Sequence, residues 1–284
     1  MNTKKNRKSK KNKTIKNKNK PIFKILNKNY SLYASKKYSG QEILNHSHEL
    51  DLKFHKKCIT DNLTWLGTLD VAKSYKTADT KIYKWNTKNK VKLVVLNNDN
   101  RLYFKQLFLK NKNKKIKPLL NLSPDITQNI KNNIKKDIDI EYLEMNNNEK
   151  CWYEFAFAYG YIDIHKQFNF LRFLKYLLKH KYIKIELRDG SSLLKKIIRD
   201  EYYYKSIDKL PIEKQNQNNR ISFYKIDQIA LTNLCNLLPA NINGVYQPDS
   251  SSFWFPNLLI YKMNIEEFVL FNPYKNLKYD KEIE

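Results

Sequence analysis

Residues 266–273 read EEFVLFNP, two acids running into four consecutive apolar residues and an Asn-Pro stop. Period-2 alternation puts Phe268 and Leu270 on one side of a strand and Val269 and Phe271 on the other, so both faces are apolar and the strand belongs in the middle of a layered fold. Glu267 shares the face of Val269 and Phe271. A carboxylate at the mouth of a buried strand either faces a cleft, where burial or a ligand hydroxyl engages it, or simply starts the strand in water.

Working outward, Ile242–Gln247 (INGVYQ) and Leu258–Met263 read as further strands before it. Upstream of them lie helices. Ile226, Ile229, Ala230, Leu234, Leu237 and Leu238 recur at helical spacing and stop at Pro239, and Phe170, Leu171, Leu174, Leu177 and Leu178 form another stripe. Ser123 is an N-cap with Pro124 at the first helical position, followed by Ile126, Ile130, Ile134 and Ile138. Ser191 opens a helix over Leu193–Tyr202, and Gln215–Asn219 is a polar loop. The front of the chain returns to strands: Tyr30–Ser35, Asn62–Gly67 with a helical turn Asp70–Tyr75 behind it, and Lys81–Trp85 with Val91–Leu96, which read as a hairpin. Strands, then helices, then strands is the order of an α+β domain with an irregular antiparallel sheet. The expected organisation is a disordered Lys/Asn-rich arm over 1–20 and a single α+β domain over 21–284, with a helical middle at about 120–240.

Charge is unevenly spread. The 284 residues carry 54 Lys+Arg against 28 Asp+Glu, a formal +26, and fourteen of the basic residues precede the first acid, Glu42. Lys4, Lys5, Arg7, Lys8, Lys10 and Lys11 lie in a tract without apolar periodicity, and such an arm neutralises phosphates on DNA or RNA, serves import, or keeps the chain in solution. A second basic run, Lys105–Lys117, reads as a helix end entering a solvated loop. Heavy use of Lys, Asn, Ile and Tyr indicates AT-rich coding, which accounts for part of the charge.

Several chemistries are excluded. The five glycines, 40, 67, 160, 190 and 244, never approach one another, so no Walker A loop or dinucleotide-binding fingerprint exists. Cys58, Cys151 and Cys235 are too far apart for a zinc knuckle or a disulfide framework and read as free thiols. His46, His48, His55 and Cys58 have four-ligand spacing, but their charged surroundings read as a solvated helix, and no metal is expected. His165 and His180 read as surface histidines beside a core helix. With no apolar run of 18 residues and no apolar leader at the N-terminus, the expectation is no membrane span and an intracellular setting, in the cytoplasm or nucleus.

Ser31-Leu32-Tyr33-Ala34-Ser35, then Trp65-Leu66-Gly67-Thr68 with Ala72-Lys73-Ser74-Tyr75, then KIYKWNTKNKVKLVVLNN (81–98) resemble the front half of ADP-ribosyltransferase-like domains, whose first strand reads roughly LY(H/R)G and whose second reads FxTS before a short AxxY helix. Glu267–Pro273 is similar to that family's last motif, a Glu before an apolar strand ending in Pro. The resemblance implies a split sheet whose halves flank a cleft gripping NAD as substrate. Glu267 would then accept a hydrogen bond from the nicotinamide-ribose hydroxyl and stabilise positive charge as the bond to nicotinamide breaks, while Tyr33, Ala34, Thr68 and Tyr75 line the cofactor. The chain departs from the pattern at Ala34, where the family has His or Arg, with Lys36 and Lys37 nearby, and at Ile265, where the arginine-modifying subtype has a second Glu. Residues 220–235 with Ile242–Tyr246 are similar to uncharacterised proteins of large DNA viruses with AT-rich genomes, which adds a host cell or a virion to the possible settings.

Three functions stay open at this point. The chain is an ADP-ribosyltransferase-like protein, active or degenerate, acting on a protein or nucleic acid. Alternatively it is a non-enzymatic, nucleic-acid-associated or virion-packaged protein. The third is a partner-binding module built on the aromatic stretches Trp152–Tyr161 and Phe253–Phe255, whose plainer role is core.

Overall fold

The computed structural model of the protein describes residues 20–37, 39–42, 44, 63–111, 116–120, 122–133, 140–180, 229–248 and 266–283. Eight strands, β1 (Phe23–Leu26), β2 (Ser31–Lys36), β3 (Leu63–Gly67), β4 (Lys81–Thr87), β5 (Val91–Val95), β6 (Gly244–Gln247), β7 (Glu267–Phe271) and β8 (Leu277–Ile283), form one mixed sheet in the order β1-β5-β6-β7-β3-β2-β4-β8. Only β5 and β6 run parallel among these pairs. The helices are α1 (Leu69–Ser74), α2 (Arg101–Leu109), α3 (Pro124–Asn133), α4 (Ile140–Glu144), α5 (Asn147–Ala158), α6 (Ile164–Lys179), α7 (229–237) and the single turn α8 (Pro273–Asn276). The protein is therefore α+β, with helices concentrated in the middle of the chain.

The sheet is not flat, and its register says why. β1 pairs with β5 down to Leu26↔Val91, and β2 pairs with β4 from Ser31↔Asn86. Five residues forward on one strand match five residues back on the other, so these four strands are one long antiparallel ribbon bent at its middle. Thr87 holds the bend. It is fully buried, donates its hydroxyl to the Asn27 carbonyl at 2.6 Å and accepts the Tyr30 amide at 2.9 Å. Asn29 takes the left-handed conformation there, with φ 65°. In a flat sheet β4 and β5, five places apart, would stand roughly 24 Å from each other. The three residues between them reach only about 14 Å. The sheet must fold over.

Its concave face packs on itself: Leu32 of β2, Trp85 of β4, Leu93 of β5, and Phe268 and Leu270 of β7 share one cluster. The convex face of the other half carries the helices. Leu63, Val94, Val245, Val269 and Phe271 meet Phe104 and Phe108 of α2, Phe155 of α5, Phe173 of α6 and Leu234 of α7. Phe155 sits between the Phe104 and Phe108 rings, with centroids at 5.4 and 5.1 Å. One carboxyl is buried in this layer. Glu154 accepts the Leu119 and Leu120 amides at 2.8 and 3.1 Å and the Tyr142 hydroxyl at 2.6 Å, and burial raises its pKa to about 7.

The strand at Glu267–Phe271 is buried throughout, as its sequence requires, and Ser123 caps α3 through the Ile126 amide. The expected hairpin of Lys81–Trp85 with Val91–Leu96 does not form. Those strands pair with β2 and β8 on one side and with β1 and β6 on the other, because the bend sends the two arms of the ribbon into different halves of the sheet. The expected antiparallel sheet is found in each of these strand pairs except β5–β6, which runs parallel. The aromatic stretch Trp152–Tyr161 is core: its aromatic rings are all buried. The strand expected at Leu258–Met263, the helix at Leu193–Tyr202, the loop at Gln215–Asn219, Phe253–Phe255 and most of the arm at 1–20 lie outside the described residues.

Candidate functional site

β3 ends in Gly67, and the chain turns at once into α1. Thr68 is the N-cap: its backbone is extended, its carbonyl accepts the Ala72 amide at 3.0 Å and its hydroxyl accepts the Val71 amide at 3.4 Å. Asp70 in the first turn and Lys73 in the last complement the helix dipole. Val71 packs straight down onto Gly67, where a Cβ would stand 2.6 Å from Val71 Cγ1. Glycine lets α1 lie this close to the sheet. Tyr75 is the C-cap residue, and its hydroxyl donates to Glu267 Oε1 at 2.7 Å.

Cross-strand partners in antiparallel strands share a face. Gly67 pairs with Tyr33 on β2 and with Glu267 on β7, and Glu267 pairs in turn with Gln247 on β6. Tyr33, Gly67, Glu267 and Gln247 thus stand in one row across four neighbouring strands. Glu267 is 9% and Gln247 6% exposed, although both are polar. The row lies where the helical layer stops: Val269 and Phe271 beyond Glu267 are covered by helices, whereas Ser31 and Lys84 around Tyr33 are half-buried polar residues. β2 and β3 meet only at Tyr33↔Gly67, against five paired positions between β3 and β7.

The neighbouring acid does the opposite. Glu266 accepts the Tyr246 hydroxyl at 2.5 Å, and Tyr246 packs in the concave cluster with Tyr30 beside it. Burial and then the Glu266 carboxylate push both phenols upward in pKa. Lys24 lies 4.9 Å from the Tyr246 ring centroid. Consecutive glutamates therefore meet tyrosines on opposite faces of the sheet.

Of the residues singled out in the sequence, Tyr33, Thr68, Tyr75 and Glu267 come together around Gly67. Ala34 does not join them, because alternation along β2 turns it into the concave cluster. Lys36 pairs with Lys81 at the far end of β2, and exposed Lys37 forms an ion pair with Asp79, which holds that carboxyl down at about 2. Gln247 and Glu266 were not singled out. Glu266 sits beside the chosen acid, but the partner that brings Gln247 in is set by register, which sequence spacing does not carry. His165 and His180 are exposed, and Cys151 and Cys235 are buried free thiols. Lys4, Lys5, Arg7, Lys8, Lys10, Lys11, the group His46, His48, His55 and Cys58, and Ile265 lie outside the described residues. Among the described residues no three His, Cys, Asp or Glu side chains gather as metal ligands, and no helix is long and apolar enough to cross a membrane.

Comparison of the chain with protein-family models, with curated proteins and with solved structures returns no match.

Proposed function

We propose that the protein is an ADP-ribosyltransferase-like enzyme that uses NAD as substrate, with Glu267 as its essential carboxylate. One observation carries this reading. Three stretches chosen for their resemblance, around Tyr33, around Thr68 to Tyr75, and at Glu267, are separated by up to 234 positions in the chain yet meet at one row beside Gly67. In this reading the sheet is split at the single β2–β3 pair, and the substrate lies where the halves part.

The chemistry is displacement at the sugar carbon that bears nicotinamide. The carbon–nitrogen bond breaks with its electron pair going to the pyridinium ring, which leaves neutral, and an acceptor nucleophile forms the new bond on the opposite side. Positive charge builds on the ribose between those events, and a fixed carboxylate beside it stabilises that charge. Glu267 accepts the adjacent ribose hydroxyl, Tyr75 holds Glu267 Oε1 in place, and Tyr33 and Thr68 flank the sugar. Ala34 has no part in this arrangement. Incubation with NAD labelled in its ADP-ribose half tests the proposal through transferred label and released nicotinamide.

A second reading rests on charge. An arm with ten Lys/Arg in twenty residues, on a chain of net +26, suits a protein held on nucleic acid, within a host cell or a virion. Salt-sensitive retention of DNA or RNA that survives Glu267→Gln and disappears when residues 1–20 are deleted would favour it.

A further inference from the structure

We infer that Lys84 is the phosphate contact of the substrate at this site, with Asp280 as its built-in competitor; this rests on the nucleotide reading above and fixes the direction in which the substrate lies. The row through Glu267 does not stop at Tyr33. Tyr33 pairs with Lys84 on β4, and Lys84 pairs with Lys281 on β8. Gln247, Glu267, Gly67, Tyr33, Lys84 and Lys281 therefore cross six strands on one face. Its charge is polarised: a carboxylate stands near one end, and at the other two ammonium groups exceed the one carboxylate, Asp280, that lies with them.

A substrate with a cationic reacting sugar and an anionic diphosphate matches that polarity in one orientation only. Its ribose belongs at Glu267, and its phosphates belong over Tyr33 and Lys84, since the reverse sets phosphate against carboxylate. Three strand spacings separate the Cα atoms of Glu267 and Lys84, about 14 Å, and both side chains are long enough to shorten that span. Val71 of α1 covers Gly67 in the middle of the row, so the diphosphate reaches Tyr33 and Lys84 around that side chain. Lys84 is also built in, with its side chain only 22% exposed. The register slips between Lys84 and Trp85, leaving Asp280 as the extra residue on β8, and a bulge of this kind re-aims its side chain. Asp280 Oδ2 meets the Lys84 ammonium at 2.8 Å. A diphosphate arriving at Lys84 must share that ammonium with Asp280 or displace it.

The competitor gives the inference a signature that a plain surface ion pair lacks. Binding of ADP and of inorganic pyrophosphate to the full chain is measured by calorimetry for the wild type, Lys84→Gln, Asp280→Asn and the charge-matched control Lys110→Gln. Lys84→Gln should weaken both ligands about tenfold or more, the loss expected for one charge-assisted hydrogen bond. Asp280→Asn should strengthen both, and Lys110→Gln should leave them unchanged. No binding to the wild type, equal loss in Lys84→Gln and Lys110→Gln, or weaker binding in Asp280→Asn would each overturn the assignment. NAD turnover is a separate readout. Lys84-dependent pyrophosphate binding without nicotinamide release would retain the phosphate site and remove the transferase reading, whereas nicotinamide release indifferent to Lys84 would do the reverse.

Discussion

The Tyr75 hydroxyl donates to Glu267 Oε1 at 2.7 Å across 192 residues of chain, tying the end of a six-residue helix to the mouth of a strand buried throughout. The bond fixes the orientation of the carboxylate. Tyr75→Phe keeps the ring and removes the donor, so it should lower the rate of transfer about tenfold with little change in KM, since orientation is lost but contact area is not. Steady-state kinetics of that variant checks this, and a rise in KM at constant kcat would assign Tyr75 to binding alone.

Gly67 is where α1 touches the sheet. A methyl group there would stand 2.6 Å and 2.7 Å from Val71 Cγ1 and Cβ, so Gly67→Ala must lift the helix and with it Tyr75. We expect a loss of about 1–3 kcal/mol in stability, together with a fall in activity larger than that of Tyr75→Phe. Chemical denaturation paired with the NAD assay measures both.

Gly244→Ala should be worse. Its Cβ would fall 2.0 Å from the Val269 carbonyl oxygen, a backbone atom that cannot rotate away. The β6–β7 ladder would have to open, exposing Val245 and Val269, and we expect a loss of at least about 3 kcal/mol. A thermal midpoint within a degree or two of the wild type would contradict this packing.

Glu154 makes stability depend on pH. Its carboxyl titrates at 4.5 by ordinary values and at about 7 when folded, so between those limits the native state holds the extra proton. Stability from this group is full below about 4.5 and is lost as pH rises through about 7, by a few kcal/mol at most. Glu154→Gln should flatten that part of the profile. Thermal midpoints of both proteins from pH 5 to pH 8 test the sign, and an identical slope in the two would refute it.

Strand β2 was legible from alternation, β7 from apolar residues on both faces, and β3 from its cluster of apolar and aromatic residues. β1 and β8 were not. Phe23–Leu26 is too short to show a period, and Leu277–Ile283 is a charged edge strand that needs only Leu277 in the core. The false hairpin came from reading strand neighbours in sequence as neighbours in space, although the bend at Thr87 separates them. The acid could be chosen from local pattern, and Thr68 and Tyr75 through the resemblance to ADP-ribosyltransferase-like motifs. Gln247 and Lys84 enter through cross-strand register, and that is settled by how the whole sheet folds over.

Glu267 carries the proposed chemistry. Purified full-length protein and its Glu267→Gln variant, incubated with NAD labelled in the ADP-ribose half, should differ at least a hundredfold in label transferred and nicotinamide released, the scale of losing one transition-state contact. Equal turnover in the two proteins, or none in the wild type, would contradict the proposal that this carboxylate performs ADP-ribosyl transfer.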